Sequence, residues 1–436
     1  MARGHGENSV MGGRAWYGIG VLLLAYAFSF LDRQILSLLV EPIKRDLNLN
    51  DTRISLLQGL AFALVLGLGG LPIGRLVDRG SRIRLIALGI AFWSVMTIAC
   101  GLVQGYIGLA VARMGVAVGE AVLLPAAFSL ITDLVPARRL GLAFGLFSMG
   151  VYLGAGAALM GGASVIGALA ANGGLDLGAL GHLRPWQGVF VIVGLPGLAM
   201  ALWVATLREP TRTKAPVAAP PLAEVATYLR GHAGTLVCLL LCGAFSTMSA
   251  YAHAAWLPSF FIRVHGWTAV QAGHAYGSLL IVFGTLGVVA GGVVGDFLVS
   301  RGRANGRLLA MVGSSLAALP FAMAAPLVAD PTLALVLIAA GLFFSTMMIS
   351  NSPAALQEML PPRMRGIGAA LAILVITPLG LGLGPTLVAL VTDYVLGDAR
   401  LVGYSLAVAP PAMLAVSVLF GLAGLKPYLA SRAARD

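Results

Sequence analysis

The stretch Gly74-Arg75-Leu76-Val77-Asp78-Arg79-Gly80-Ser81-Arg82 decides how this chain is read. It is a short, arginine-rich turn carrying a carboxylate, set between apolar runs long enough to cross ~30 Å of hydrocarbon as helices. Its outline returns 218 residues later as Gly292-x-x-x-Asp296, followed by Arg301, Arg303 and Arg307. A second pair behaves the same way. Pro136-Ala137-Arg138-Arg139-Leu140-Gly141 is echoed by Pro361-Pro362-Arg363-Met364-Arg365-Gly366, with Asp133 and Glu358 at the same distance before them. Two motifs in the same order, each after the second and fourth apolar runs of its half, predict a duplicated six-span unit. A parallel repeat about an axis along the membrane normal is a transporter arrangement.

Composition agrees. The 436 residues are 59% apolar and only 10% charged, whereas a soluble domain carries about 25% charged residues. Such a chain cannot solvate a globular surface, and it is the opposite of a disordered one. Twelve spans are expected, beginning near Trp16, Arg53, Leu85, Gly105, Gly141, Gly188, Gly234, Ala269, Leu308, Thr332, Gly366 and Leu401. Strand barrels are excluded, because their signal is alternation over ~10 residues rather than long continuous runs. The expected fold is an all-α membrane protein of two pseudo-symmetric six-helix bundles, residues 16–207 and 234–425, with short tails 1–15 and 426–436. The joint between them, 208–233, begins Arg-Glu-Pro-Thr-Arg-Thr-Lys-Ala-Pro-Val-Ala-Ala-Pro-Pro and reads as a flexible tether.

The net charge of +11 is explained by topology. With the N-terminus cytoplasmic, twenty of the 28 Lys and Arg residues fall on the cytoplasmic side and six on the other, and Arg33 and Arg113 lie inside spans. The positive-inside rule then predicts a multi-pass protein with both termini cytoplasmic, in the inner membrane if the cell is bacterial. No basic stripe with interleaved aromatics suggests nucleic acid. Arg14, an apolar run and Ala25-Tyr26-Ala27 resemble a signal peptide, but cleavage is not expected, since the apolar run continues and removal would break the even span count. Cys100, Cys238 and Cys242 sit in apolar runs as packing residues, without a disulfide framework or a metal site. Lys44, Lys214 and Lys426 are the only lysines and none lies in a Walker loop; H-E-x-x-H and G-x-S-x-G do not occur. Neither an enzyme nor a cofactor is expected.

Ionisable residues inside spans are the candidate chemistry, because a charge at membrane depth is costly and faces a bundle interior or a water-filled cavity. Asp32 and Arg33 in the first span, and Arg113 and Glu120 in the fourth, form an expected proton-coupling group. Competition between the two carboxylates, or between a carboxylate and an anionic substrate, for arginine would tie proton uptake to movement. The alternative is permanent salt bridges joining the two spans, with Arg113 serving only to anchor Glu120. The second half offers Tyr251, His253, Trp256, Ser345, Thr346, Ser350 and Asn351 in the corresponding spans, an expected amphipathic cavity wall. His253 and His274 are more often hydrogen-bonded packing residues than ligands. Glycine stripes at Gly150/Gly154, Gly287/Gly291/Gly295 and Gly380/Gly382/Gly384 would let helices approach closely or slide.

Residues 74–82 resemble the signature loop of the major facilitator superfamily, and the twelve-span layout extends that resemblance over nearly the whole chain. Within it, Phe30-Leu31-Asp32-Arg33-Gln34-Ile35, Ile54-Ser55-Leu56-Leu57-Gln58-Gly59 and Arg113 through Gly119-Glu120 are similar to the spinster-type lysolipid and sphingolipid transporters. Related organic-anion transporters also carry Asp-Arg motifs. The Gly-Pro pair of drug/proton antiporters is missing from the fifth span. The resemblance implies functional roles for Asp32, Arg33 and Glu120. It also implies a cytoplasmic latch at Gly74, Asp78, Arg79, Arg82, Arg138 and Asp296. Arg82, Arg138 and Arg139 are candidate partners for Asp78.

The expected function is secondary transport of an amphipathic anion such as a lysophospholipid, proton-coupled and working by alternating access. Membrane lipids, the substrate and protons are the expected partners of a monomer. Transport of small organic anions, or a transporter-shaped sensor that moves nothing, are the rival readings.

Overall fold

In a computed structural model the chain is almost entirely helical; residues 13–135, 139–176, 178, 181–210 and 221–433 are described. Among the described residues, twelve helices are long and apolar enough to span a membrane: α1 Ala15–Leu38, α2 Asp51–Gly69, α3 Arg82–Leu102, α4 Tyr106–Leu134, α5 Ala143–Ala171 and α6 Pro185–Ala205, then α7 Ala233–His265, α8 Ala269–Ser300, α9 Gly306–Leu327, α10 Pro331–Met359, α11 Arg365–Leu396 and α12 Ala399–Arg432. Each begins within three residues of its expected position. Helical geometry in α2 continues to Arg79. Since α1 starts and α12 ends on one side, that side is called here the terminal face, and the other the opposite face. Large apolar side chains such as Leu88, Ile107 and Leu202 point outward, as lipid-facing residues must.

Turns on the opposite face are short and firmly capped. Asn50 accepts from the Arg53 N–H at the start of α2. Thr268 and Gln271 form a reciprocal capping box at the start of α8, and Asp330 caps α10 ahead of Pro331. Gly266 ends α7 at φ 67°, a conformation only glycine adopts freely. Two small additions lie there as well, a helix at Val40–Leu47 and an antiparallel pair of strands, β1 Leu175–Asp176 and β2 His182–Leu183. On the terminal face, the joint between the halves contains a helix, Leu222–Gly231, which composition alone did not indicate. Its Tyr228 hydroxyl donates to the carbonyl of Met359 at the end of α10. Most of the proline-rich stretch, 211–220, is outside the described residues.

The apolar core shows how the bundles meet. One continuous cluster fills the first bundle and extends into the opposite-face half of the second, through Trp256, Phe260, Tyr276 and Val388. The terminal-face half of the second bundle has a separate core of its own, built on Leu236, Met311, Leu356 and Tyr428. The bundles therefore share one core toward the opposite face and have separate cores toward the terminal face, although α2 and α11 still approach each other at Gly67 and Pro378.

Glycine makes the fused half possible. A Cβ on Gly277 of α8 would sit 2.7 Å from the Gly156 carbonyl of α5, and one on Gly273 would sit 2.7 Å from the Leu159 carbonyl. On the other seam a Cβ on Gly59 of α2 would collide with the Leu381 carbonyl of α11. Three of the four helices along these seams widen into π-helical turns there, at Leu56–Leu60, Leu280–Gly284 and Pro378–Leu383. The stripes at Gly150/Gly154 and Gly287/Gly291/Gly295 instead pack within a bundle, on Leu23 and Ala27 of α1 and on Phe343, Met347 and Asn351 of α10. At Gly74, Gly145 and Gly366, near the terminal face, an added Cβ would meet nothing within 4 Å among the described residues.

Candidate functional site

A cavity of about 360 Å³ lies between the bundles. The first bundle supplies α1 and α5 to its wall, and the second supplies α7 to α12. Leu257, Leu280, Phe321, Leu337 and Leu342 make much of the wall apolar, and no described lining residue is Asp, Glu, Lys or Arg. Its polar groups are hydroxyls, the Gln34 amide and the His253 imidazole, whose Nδ1 lies 2.9 Å from the Ser249 carbonyl oxygen.

Of the cavity residues expected from sequence, Tyr251, His253, Ser345 and Thr346 line this space. Trp256 and Asn351 do not, and the reason is their hydrogen bonding. The buried Trp256 indole N–H donates to the Pro385 carbonyl at 2.9 Å, pinning α7 to α11. The Asn351 amide donates to the carbonyls of Gly291 (2.8 Å) and Met347 (3.1 Å), pinning α10 to α8. Ser350 likewise turns back onto the Met347 carbonyl.

Beside the cavity, within the first bundle, lies the charge group. Arg33 donates from Nε to Glu120 Oε2 at 2.6 Å, and its Nη2 pairs with the same oxygen. Ser29 adds a third donor to Oε2 at 3.2 Å. The other oxygen, Oε1, is buried without a hydrogen-bond partner among the described residues. Arg113 does not anchor Glu120. Its Nη1 donates to the backbone carbonyl of Asp32 at 3.0 Å, and its Nε is buried without a partner among the described residues. Both guanidinium groups lie against Phe62 of α2, their Cζ atoms 5.1 and 5.2 Å from its ring centre. Two carboxylates and two guanidinium groups thus share one buried volume, all four side chains coming from α1 and α4. Phe30 connects this volume to the cavity: it lines the cavity wall and lies 4.9 Å from Arg33 Cζ.

Between the cavity and the opposite face the bundles are bolted together. Gln34 of α1 lines the cavity and donates from Nε2 to the Ala254 carbonyl of α7 at 2.8 Å. That carbonyl is available because the residue four further on is Pro258, which has no N–H to give it. The other bundle therefore completes a hydrogen bond that α7 cannot make for itself. Farther out, Asp51 receives Arg263 of α7 through two bonds of 2.6 and 2.8 Å, and also receives Lys44. Arg263 Nε reaches Glu41 at 2.7 Å, and its guanidinium lies 5.4 Å from the Trp256 ring. Asp393 of α11 accepts from the Thr52 N–H and hydroxyl, both at 2.7 Å, and so caps α2 from the other bundle. In the sequence, Lys44 and Arg263 bear on topology alone. Opposite charges in the loops of matching spans are the signal there that could have found this joint.

Among the described residues, no ion pair on the terminal face joins the two bundles. Arg82 pairs with Asp133 at 2.5 Å and Glu209 at 2.7 Å and also donates to Ser129. Glu209 accepts from the Ile83 N–H and the Ser81 hydroxyl, capping α3. Burial would raise the Glu209 carboxyl, but the Ile83 N–H, Arg82 and Ser81 outweigh it and hold the carboxyl below its usual range. In the second bundle Arg307 bridges Asp296 (2.7 Å) and Glu358 (2.5 Å), and Arg432 and Tyr428 also reach Glu358. Arg82 is therefore committed to Asp133 and Glu209, and Asp296 to Arg307. Arg79 is exposed, Gly74 borders open space, and the Asp78 side chain and Arg138 lie outside the described residues.

Twelve spans in two bundles, a cavity between them and, among the described residues, an ionic joint between the bundles on one side define a membrane transporter, a class that is generally not enzymatic. The profile of the Major Facilitator Superfamily matches residues 22–385, and the chain belongs to that superfamily. It is 30% identical over 419 residues to an MFS-type efflux pump of Mycolicibacterium smegmatis, covering 93% of this chain and 91% of that protein. It is 25% identical to a probable L-galactonate transporter of Escherichia coli, covering 74% of this chain and 71% of that one. In three dimensions it resembles a bacterial homolog of the human lysosomal transporter Spinster in its inward-facing, unoccupied conformation. The TM-score is 0.78 at 27% identity, over 97% of this chain and 98% of that one. The inward-facing, occupied form of that homolog matches with a TM-score of 0.77.

Proposed function

We propose that this chain is a proton-coupled secondary transporter of an amphipathic anion, a lysophospholipid or related lipid, working by alternating access. The observation that carries this reading is a largely apolar cavity, free of charged lining residues among those described, that meets a buried arginine–carboxylate pair through Phe30. The apolar wall accommodates a hydrocarbon tail. An anionic group entering at the Phe30 end would compete with Glu120 for Arg33. Protonation of Glu120 removes its charge and releases the guanidinium to the substrate; return of the carboxylate expels it. Asp32, next to Arg33 in α1, supplies a second titrating group.

Under the positive-inside rule the terminal face is cytoplasmic. The joint at Asp51, Arg263 and Asp393 then closes the outer side, and the conformation is inward-facing. The likeness to an inward-facing spinster homolog supports this orientation.

A second reading, transport of small polyhydroxy carboxylates, is favoured by the relatives named as transporters of L-galactonate and of galactarate and D-glucarate. Proteoliposomes with an imposed pH gradient separate the two. Uptake of a radiolabelled lysophospholipid that follows the gradient, and that galactonate does not inhibit, supports the lipid reading. Galactonate flux without lysolipid flux overturns it, and binding without flux under any gradient marks a sensor.

A further inference from the structure

Four tyrosines converge on the cavity from both bundles: Tyr26 of α1, Tyr152 of α5, Tyr251 of α7 and Tyr276 of α8. Three of them are more than nine-tenths buried, with Tyr276 at 2%, Tyr152 at 8% and Tyr26 at 9% exposure. A buried tyrosine hydroxyl ordinarily finds a hydrogen-bond partner. None of these four hydroxyls bonds to another described residue, and none counts among the buried unpartnered atoms, so the rings are buried while their hydroxyls open onto the cavity. The rings are nevertheless fixed. Tyr26 stacks on Phe147 at 4.6 Å and meets Phe30 edge-on at 5.2 Å, while the Tyr152 ring packs directly against Gly284, at the π-helical turn of α8. Phe30, which Tyr26 meets edge-on, itself lies 4.9 Å from Arg33 Cζ. The hydroxyls therefore belong to one neighbourhood next to the charge pair, held in place with their hydrogen-bonding capacity unused.

We propose that these four tyrosines form a subsite for a hydroxyl-bearing headgroup, so that the substrate is an anion carrying a polyol such as glycerol or an open-chain sugar. This rests on the reading of the cavity as the transport site. A phenol donates one hydrogen bond and accepts others, and so does an alcohol; four phenols without a counter-charge suit neutral C–OH groups. A carboxylate or phosphate needs donors with positive charge, and Arg33 offers that beside the cluster. One substrate would thus place its anionic group toward Arg33 and its hydroxyls among the tyrosines. Because two tyrosines belong to each bundle, such a headgroup would bridge them.

The test uses the full-length protein in detergent and two probes of equal charge and equal chain: lysophosphatidylglycerol, and a lysophosphatidylethanol that lacks the glycerol headgroup's hydroxyls. Titration calorimetry should show the glycerol probe binding more tightly, by roughly 2- to 10-fold for each hydroxyl engaged. Tyr152→Phe and Tyr276→Phe keep the rings and should each reduce that preference several-fold without changing affinity for the ethanol probe. Tyr251→Phe, at a less buried position, gives the same readout if a buried variant fails to fold. Equal affinity of the wild type for both probes, or an equal loss for both in the variants, overturns the subsite. If neither lysolipid binds but galactonate does, and the same variants weaken galactonate more than hexanoate, the lipid reading fails and the hydroxyl subsite stands.

Discussion

Asp51→Asn should unlock the opposite face. The Asp51 side chain is 0% exposed and that of Arg263 6%, and they are joined by two hydrogen bonds across the bundle boundary. The amide keeps the shape but not the charge. Arg263 would then keep Glu41 as its one carboxylate partner, beside the Ala399 carbonyl, and Lys44 would lose its carboxylate. Removing one partner of a buried pair costs about 3–5 kcal/mol. The amide oxygen still accepts one bond, and Glu41 still offers a charge, so about 2–3 kcal/mol is a fair share for this site. The cost is borne only while the bundles are closed there, since water solvates Arg263 once they part. The ratio of closed to open molecules should therefore fall by a factor of about 30–150, at about 1.4 kcal/mol per tenfold. Spin labels at Asn48→Cys and Arg400→Cys, exposed positions on the two bundles, report the separation by double electron–electron resonance after Cys100, Cys238 and Cys242 are replaced. A longer-distance population should appear or grow in the variant. A distribution identical to that of the parent protein would show that the ion pairs do not hold the face shut.

Other perturbations have distinct signatures. Asp32→Asn or Glu120→Gln should abolish uptake driven by a pH gradient while leaving ligand binding within a few-fold of wild type; full driven flux in both would remove the coupling role. Gln34→Leu deprives the Ala254 carbonyl of its donor and should weaken the closed opposite face by about 1 kcal/mol, read as a smaller shift in the same resonance experiment. Gly277→Ala places a methyl group against the Gly156 carbonyl and should block full closure there, so that far-side cysteine labelling becomes faster than in wild type. Glu209 has a lowered carboxyl, so its hold on α3 is complete above the ordinary carboxylate range and is lost as pH falls through the lowered value. Glu209→Gln should therefore flatten the acid limb of a thermal-stability profile.

Span positions were legible because hydrocarbon thickness imposes a length that composition reveals directly. The pairing of Arg33 with Glu120 was accessible in outline, since both residues are charges at membrane depth. Which arginine meets which carboxylate was not, because spacing along one helix says nothing about rotation of the next. Trp256 and Asn351 illustrate the same limit: either type suits a cavity wall or an interhelical bond, and only the crossing of α7 with α11 and of α10 with α8 decides. Gln34 was the least accessible, for its partner is a carbonyl exposed by a proline in the other bundle. The glycine stripes of α5 and α8 were visible, but not that they pack within bundles while Gly59, Gly156 and Gly277 form the seams between them.

Those seams have a consequence for how such a molecule diversifies. Where Gly156 faces Gly277, and Gly59 faces Leu381, a glycine Cα rests on a main-chain carbonyl of the other bundle, so these contacts depend on the lack of a side chain rather than on the chemistry of one. With the cavity as the proposed transport site, exchange of most wall side chains would alter what it accepts without touching these glycine contacts; Tyr152, which lines the cavity and packs on Gly284, is where the two meet.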